Sequence, residues 1–269
     1  MSRGELIFVG LGLYDENDLS LKAVQAIRQC DKVYAEFYTS RLIGSTKNNL
    51  EKTIGKPIEI LSREETEKGE VILEAASNEK VGFLVCGDPM IATTHIDLRL
   101  RAIDRGITPK IIHSSSIVTA VPGLLGLQNY KFGRTTTLAF PEEEYFPMSP
   151  YQVIKKNKEM GLHTLVLLDI QAEKERYMTA TEGIALLVKM EKKFGDNVVR
   201  GDSILCVVAR AGSPQPLIVA NTVDGLNNMD FGLPLHTLVV PGDLHFMEVD
   251  ALVTIAGLPE EIGKKLQKL

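Results

Sequence analysis

The sequence is short of the residue groupings on which several large enzyme classes depend. Its 269 residues hold three cysteines, Cys30, Cys86 and Cys206. An odd number placed this far apart makes neither a disulfide framework nor a Cys-x-x-Cys pair for metal or redox work. Each sits in or beside an apolar segment, so reduced core thiols of an intracellular, cytoplasmic protein are expected. No Gly-x-x-x-x-Gly-Lys-Ser loop cradles phosphates, no His-Glu-x-x-His helix holds zinc, and no Gly-x-Ser-x-Gly elbow exposes a nucleophilic serine. The five histidines are scattered. His236 and His245 flank Asp243, but ordinary hydrogen-bonding roles are expected of them rather than metal ligation. Basic residues are not in excess, 30 against 35 acidic ones for a net charge of −5, and the lysines are spread along helix faces, so no nucleic-acid surface is expected. No apolar run is long enough to span a membrane. The run Leu6 to Leu13 behind Arg3 leads into the acidic stretch Tyr14-Asp15-Glu16-Asn17-Asp18, not into the small residues of a cleavage site. It reads as a buried first strand.

What is present is enough apolar material, 44%, for two domains of ordinary size. The first half alternates strand-like and helical runs: Leu6 to Gly12, helix Ser20 to Cys30, Lys32 to Glu36, Pro57 to Leu61, helix Arg63 to Asn78 opened by a Ser62/Glu65 capping box, and Val81 to Val85. The polar connection Phe37 to Asn49 reads as a surface loop or a lid. Asp88 and Pro89 suit a helix start, predicting a helix from Ile91 to Arg105, and Lys110 to His113 follows as a strand. This alternation predicts a doubly wound, mostly parallel sheet over residues 1–116.

From Ser116 to Gly133 prolines and glycines interrupt the pattern and mark the domain junction. The second half, 117–269, opens with a strand at Thr135 to Phe140. Pro141, Pro147 and Pro150 punctuate the connection to a helix at Tyr151 to Met160. Leu162 to Ile170 is a strand, and Thr179 with Glu182 caps a helix to Phe194. Ser203 to Ala209, Pro216 to Ala220 and His236 to Val240 then follow with strands succeeding strands, so the second sheet is expected to be mixed.

Several strand ends in the first half carry small residues: Gly10 to Leu13, Gly87 to Asp88, and Ser114 to Ile117. Carboxyl ends of parallel strands are where such sheets place ligands. Gly10-Leu11-Gly12 begins a dinucleotide fingerprint but lacks its third glycine, and Asp15, Glu16 and Asp18 would repel a pyrophosphate. A crevice for a ligand other than a phosphate is expected. Gly-Asp-Pro by itself is equally a strand end with a helix cap.

The strings VGLGLYDENDLS (Val9 to Ser20), CGDP (Cys86 to Pro89) and HSSSI (His113 to Ile117) resemble the successive motifs of the tetrapyrrole-methylase-like family of S-adenosylmethionine enzymes. AEFYTS (Ala35 to Ser40), LSRE (Leu61 to Glu64), GDPMIATTH (Gly87 to His95), YKFG (Tyr130 to Gly133), GLHTLVLLDI (Gly161 to Ile170), ARAGS (Ala209 to Ser213) and LHTLVVPGDLHFMEVDAL (Leu235 to Leu252) resemble the branch that acts in diphthamide biosynthesis. The likeness covers nearly the whole chain.

It implies two α/β domains with S-adenosylmethionine in a cleft between them, S-adenosylhomocysteine as product, and a homodimer. It also implies repeated methylation of the amino group of an aminocarboxypropyl-histidine on translation elongation factor 2, with no nucleic-acid or membrane partner. By motif position the cofactor contacts fall on Leu13, Gly87, Asp88, Ile91, Ser116 and Ile117, and on Leu168, Ala211 and His236. Read from the residues alone, Leu13, Ile91, Ile117 and Leu168 are equally core. No general base is implied. A tetrapyrrole or corrin-precursor methylase, a nicotinamide or flavin oxidoreductase, and a non-catalytic binding module remain the rival readings.

Overall fold

The computed structural model describes residues 4–141, 146, 148–227 and 229–267; Arg3 and Pro147 lie outside them. The chain separates into two compact units, Met1–Ile117 with Gln171–Glu175, and Val118–Ile170 with Arg176–Leu269. The excursion 171–175 groups with the first unit, where Glu173 lies within electrostatic reach of Arg63.

In the first unit β1 (Glu5–Gly10) leads through α1 (Leu21–Arg28) to β2 (Lys32–Glu36), and α2 (Lys47–Ile54) leads to the short β3 (Glu59–Ile60). α3 (Arg63–Lys68) and α4 (Glu70–Asn78) precede β4 (Lys80–Val85), and α5 (His95–Asp104) precedes β5 (Thr108–Ile112). The sheet order is β3-β2-β4-β1-β5 and every pairing is parallel. Both faces are covered, which is why β1 and β4 are apolar without alternation. On one face Ile7, Val9 and Leu84 pack with Ala23 and Ile27 of α1 and Leu50 and Ile54 of α2. On the other, Leu6, Phe8 and Phe83 pack with Ile72 and Leu73 of α4 and Leu98 and Ala102 of α5. The chain leaves β1 across the first face and its neighbour β4 across the second, so their carboxyl ends flank a topological switch point.

The single helix predicted over 63–78 is two, because Gly69 takes a left-handed φ of 66° and ends α3 with its N–H on the Glu65 carbonyl. A Cβ at Gly69 would also lie 2.6 Å from Leu98 of α5. The stretch 37–49 is not all connection, since Thr46 caps α2 from within it. The predicted helix from Ile91 begins only at His95: Ala92 has φ 56°, which no α-helix accommodates, and Asp88 and Pro89 belong to an irregular segment, not a helical turn.

In the second unit α6 (Ile117–Leu125), whose first residue lies in the first unit, precedes β6 (Thr136–Leu138), α7 (Ser149–Glu159) and β7 (Thr164–Leu168). A separate two-stranded sheet of β8 (Ile170–Gln171) and β9 (Arg176–Tyr177) comes next. α8 (Ala180–Phe194), β10 (Ile204–Ala209), β11 (Leu217–Thr222), α9 (Val223–Leu226) and β12 (His236–Val240) follow, then α10 (Phe246–Ala256) and α11 (Glu260–Leu266). The main sheet runs β11-β10-β12-β7-β6, antiparallel except for the parallel β6–β7 pair, and is mixed as expected. Leu138, Val166, Leu205 and Leu238 from the sheet pack with Ile154 of α7 and Ile184 and Leu187 of α8. Thr179 and Glu182 form the predicted capping box of α8. The three cysteines are free and buried, and burial pushes their thiols up, to about 11 for Cys30 and about 12 for Cys206. No helix among the described residues is long and apolar enough to cross a membrane.

Candidate active site

Three neighbouring strand ends in the first unit, those of β4, β1 and β5, build the site. Gly10 ends β1, and a Cβ there would lie 2.5 Å from the Gly87 carbonyl and 2.6 Å from the Ser114 Cβ. Only glycine lets the three ends approach this closely. Gly12 and Gly87 then bridge the β1 and β4 tips, the Gly87 N–H donating to the Gly12 carbonyl at 2.7 Å. Gly87 sits at φ 70°, and a Cβ on it would find nothing nearer than the Ser115 carbonyl at 3.9 Å, so open space lies beside this turn.

The acidic residues after β1 act as more than a repulsive field. One Asp18 carboxylate oxygen accepts the N–H of Leu13 at 2.9 Å and of Tyr14 at 2.7 Å. These strand-end donors are the type that would cradle a pyrophosphate in a dinucleotide site. Here an internal carboxylate already occupies them.

Asp88 organises the other side. One carboxylate oxygen accepts Met90 N–H at 3.0 Å, and the other accepts Ser114 N–H at 3.2 Å and the His113 Nδ1–H at 2.8 Å. A carboxylate has about four acceptor positions, so Asp88 is nearly saturated by its own chain. Of the other expected contacts in this unit, Leu13 is half-buried at the β1 tip and Ser116 is buried after β5. Ile117 opens α6, and Ile91 is 42% exposed on the irregular segment. Ile91 is therefore not core.

A second buried cluster, not among the expected contacts, lies at the end of β2. Glu36 is fully buried, its carboxylate accepting the N–H groups of Tyr38 and Thr39 at 3.0 and 3.1 Å, the Thr39 hydroxyl, and His95 Nε2 at 3.3 Å. His95 also meets the Phe83 ring edge to face at 5.1 Å. The segment 88–94 is thus held at its start by Asp88 to the β5 tip and at its end by His95 to the β2 tip. A charged residue closing an otherwise apolar strand was the available signal, because a buried carboxylate requires donors.

In the second unit Leu168 ends β7, Ala211 follows β10, and His236 opens β12. Pairings of Ala209 with His236 and of Leu167 with Thr237 put all three at one edge of the mixed sheet. His236 accepts the Ala180 N–H on Nδ1 and donates from Nε2 to the Leu233 carbonyl, both at 3.0 Å. Burial pulls its pKa below the usual imidazole value, so the ring is neutral near pH 7 with both nitrogens engaged. His245 caps α10, its Nδ1 accepting Met247 N–H, and so stands apart from His236 in role. Among the described residues no group of three His, Cys, Asp or Glu is placed to hold a metal.

Residues 5–227 match the family model described as Tetrapyrrole (Corrin/Porphyrin) Methylases. Diphthine synthase of Methanothermobacter thermautotrophicus is 50% identical over 97% of this chain and 99% of its own length. That of Methanosphaera stadtmanae is 47% identical over 96% and 98% respectively. A crystal structure of diphthine synthase matches the fold with a TM-score of 0.88 and 38% identity, covering 96% of this chain and 98% of that one.

Proposed function

The chain belongs to the tetrapyrrole (corrin/porphyrin) methylases and among them to the diphthine synthases, and from that premise we propose that it repeatedly methylates one protein-borne amine. It is an S-adenosylmethionine-dependent methyltransferase. The acceptor we assign is the amino group of the aminocarboxypropyl-histidine on translation elongation factor 2, and the product is diphthine, an intermediate of diphthamide. The observation that carries this reading is identity of 50% over nearly the entire length of a diphthine synthase.

The strand-end geometry fits the cofactor. Open space beside Gly87 provides a cradle that a side chain would fill, and backbone groups with apolar Leu13, Ile91 and Ile117 suit an adenosine and a methionyl chain. Bound S-adenosylmethionine would supply an electrophilic methyl on a sulfonium. The chain's share of the work is alignment, worth roughly 7 to 11 kcal/mol when a near-attack geometry is held. Nitrogen accepts methyls until it is quaternary, so three transfers complete the amine.

The reading is tested by mass spectrometry of elongation factor 2 carrying the intermediate, incubated with enzyme and labelled cofactor. Stepwise label on that residue is expected. Absence of transfer to it, with efficient methylation of a porphyrinoid instead, would replace this reading by a tetrapyrrole-precursor methylase. We further propose a cytoplasmic homodimer; sedimentation at micromolar concentration checks the assembly, and a monomer there would refute it.

A further inference from the structure

We propose that His113 is the general base that takes the acceptor's proton, with Asp88 as its positioning residue; this rests on the amine substrate proposed above. Asp88 is buried, its side chain 7% exposed, whereas the His113 side chain is 70% exposed. An ionised carboxylate only accepts hydrogen bonds, so the 2.8 Å contact to Nδ1 makes that nitrogen the donor. The basic lone pair of neutral His113 is thereby placed on Nε2. Two backbone bonds, from Met90 and Ser114, hold the carboxylate itself in place. The result is a buried acid orienting an imidazole whose outer nitrogen is open, on the same strand tip as Ser116 and Ile117 and beside the bridged ends of β1 and β4.

A proton must leave the acceptor more than once, and such a group would speed each loss. An α-amine titrates near pH 8 in model peptides, roughly 7.7 to 8.0, and is mostly ammonium at neutral pH. Before each transfer one N–H bond must break, its electron pair staying on nitrogen as the nucleophilic lone pair. The proton forms a new bond to His113 Nε2, and the imidazolium so formed passes it to water. Carrying an ammonium to a trimethylammonium therefore releases three protons in three rounds. A base buried with its proton would stall after the first round, whereas an exposed imidazole is reset by solvent between rounds.

A loop staple would show the same Asp88–His113 bond, and His113→Asn separates the two roles. Its amide nitrogen can donate to Asp88 as Nδ1 does, but it has no basic nitrogen in place of Nε2. Transfer by His113→Asn should be slower by about 10² to 10⁴, with S-adenosylmethionine affinity by calorimetry unchanged within twofold and partial recovery of rate on adding imidazole. Independently of activity, long-range ¹H–¹⁵N spectra of the cofactor-free protein should show neutral His113 protonated on Nδ1, and Asp88→Asn should shift that tautomer toward Nε2–H. Equal transfer by His113→Asn and the unsubstituted protein would overturn the base while leaving the function standing, as would an Nε2–H tautomer in the unsubstituted protein. No transfer by either would overturn both.

Discussion

Replacing Glu248 by Gln should cost the second unit roughly 3 kcal/mol at pH 7. The Glu248 carboxylate, 1% exposed, receives Lys131 Nζ at 2.6 Å, the N–H groups of Gln128 and His245 at 2.8 Å, and His163 Nε2 at 3.0 Å. Burial pushes its pKa up, but these donors outweigh burial and bring it from 4.5 to about 2. At 1.36 kcal/mol per pH unit that interval is worth roughly 3 kcal/mol. Because the folded pKa is depressed, the stabilisation is complete above about pH 5 and is lost as pH falls through 4.5 toward 2. An amide at 248 has half the acceptor capacity and turns an NH₂ toward donors, leaving the largely buried Lys131 ammonium without its counter-charge. The assay is hydrogen exchange of the β12 amides in urea, which isolates the second unit where two units preclude a single two-state transition. The gap between Glu248→Gln and the unsubstituted protein should be full at pH 7 and close below pH 4.5. A gap under about 1 kcal/mol at pH 7, or one unchanged between pH 7 and 3, would refute the electrostatic account.

His163 adds a second acid sensitivity. Burial pulls its pKa below the usual value despite Glu248, and Nδ1 accepts the Gly242 N–H at 3.0 Å, a bond its cation would lose. Since the unfolded chain takes the proton first, second-unit stability should begin to fall below about pH 6.5; His163→Gln should flatten the decline between pH 7 and 5 in the same exchange assay, and an unaltered slope counts against it. Gly10→Ala should weaken S-adenosylmethionine binding at least tenfold by calorimetry, because its Cβ would push the Gly87 carbonyl and Ser114 apart; unchanged affinity refutes the tip geometry. Ile91→Asp, on an exposed side chain, should shift stability by no more than about 0.5 kcal/mol yet weaken cofactor binding, and normal binding would remove Ile91 from the site.

The first sheet was legible because strands buried on both faces write themselves as uninterrupted apolar runs, as in Leu6 to Gly10 and Val81 to Val85. The helix caps at Ser62 and Thr179 were legible for a different reason, since a capping box is a local pattern of two residues at fixed spacing. What escaped was set by residues distant in sequence. Nothing near Pro89 reveals that Asp88 is committed to His113 and Ser114 across 25 and 26 positions, and with its carboxylate so engaged no helix starts there. α2 hid behind Lys47-Asn48-Asn49, whose polar character reads as loop until Leu50 and Ile54 find the α1 face. The string PGDLHFME shows no physical role that can be read locally. It supplies the Glu248 carboxylate and one of its donors, the His245 N–H, whereas Lys131, Gln128 and His163 donate from elsewhere in the chain, 85 to 120 positions away.

The same edge also explains why a sheet with a nucleotide-binding layout would accept a different ligand. A doubly wound sheet offers its switch point to whatever charge the strand tips favour. In dinucleotide sites free N–H groups and a glycine-allowed helix terminus favour an anion. Here Asp18 consumes the N–H groups of Leu13 and Tyr14, Asp88 takes those of Met90 and Ser114, and Glu36 takes those of Tyr38 and Thr39. Six strand-end donors are thus turned inward on three carboxylates, and the edge retains negative charge rather than a vacancy for it. A sulfonium cofactor carries the opposite sign from a pyrophosphate, so an edge of this kind selects against one and tolerates the other. Asp18→Asn is the substitution that would weaken this preference without opening a cavity.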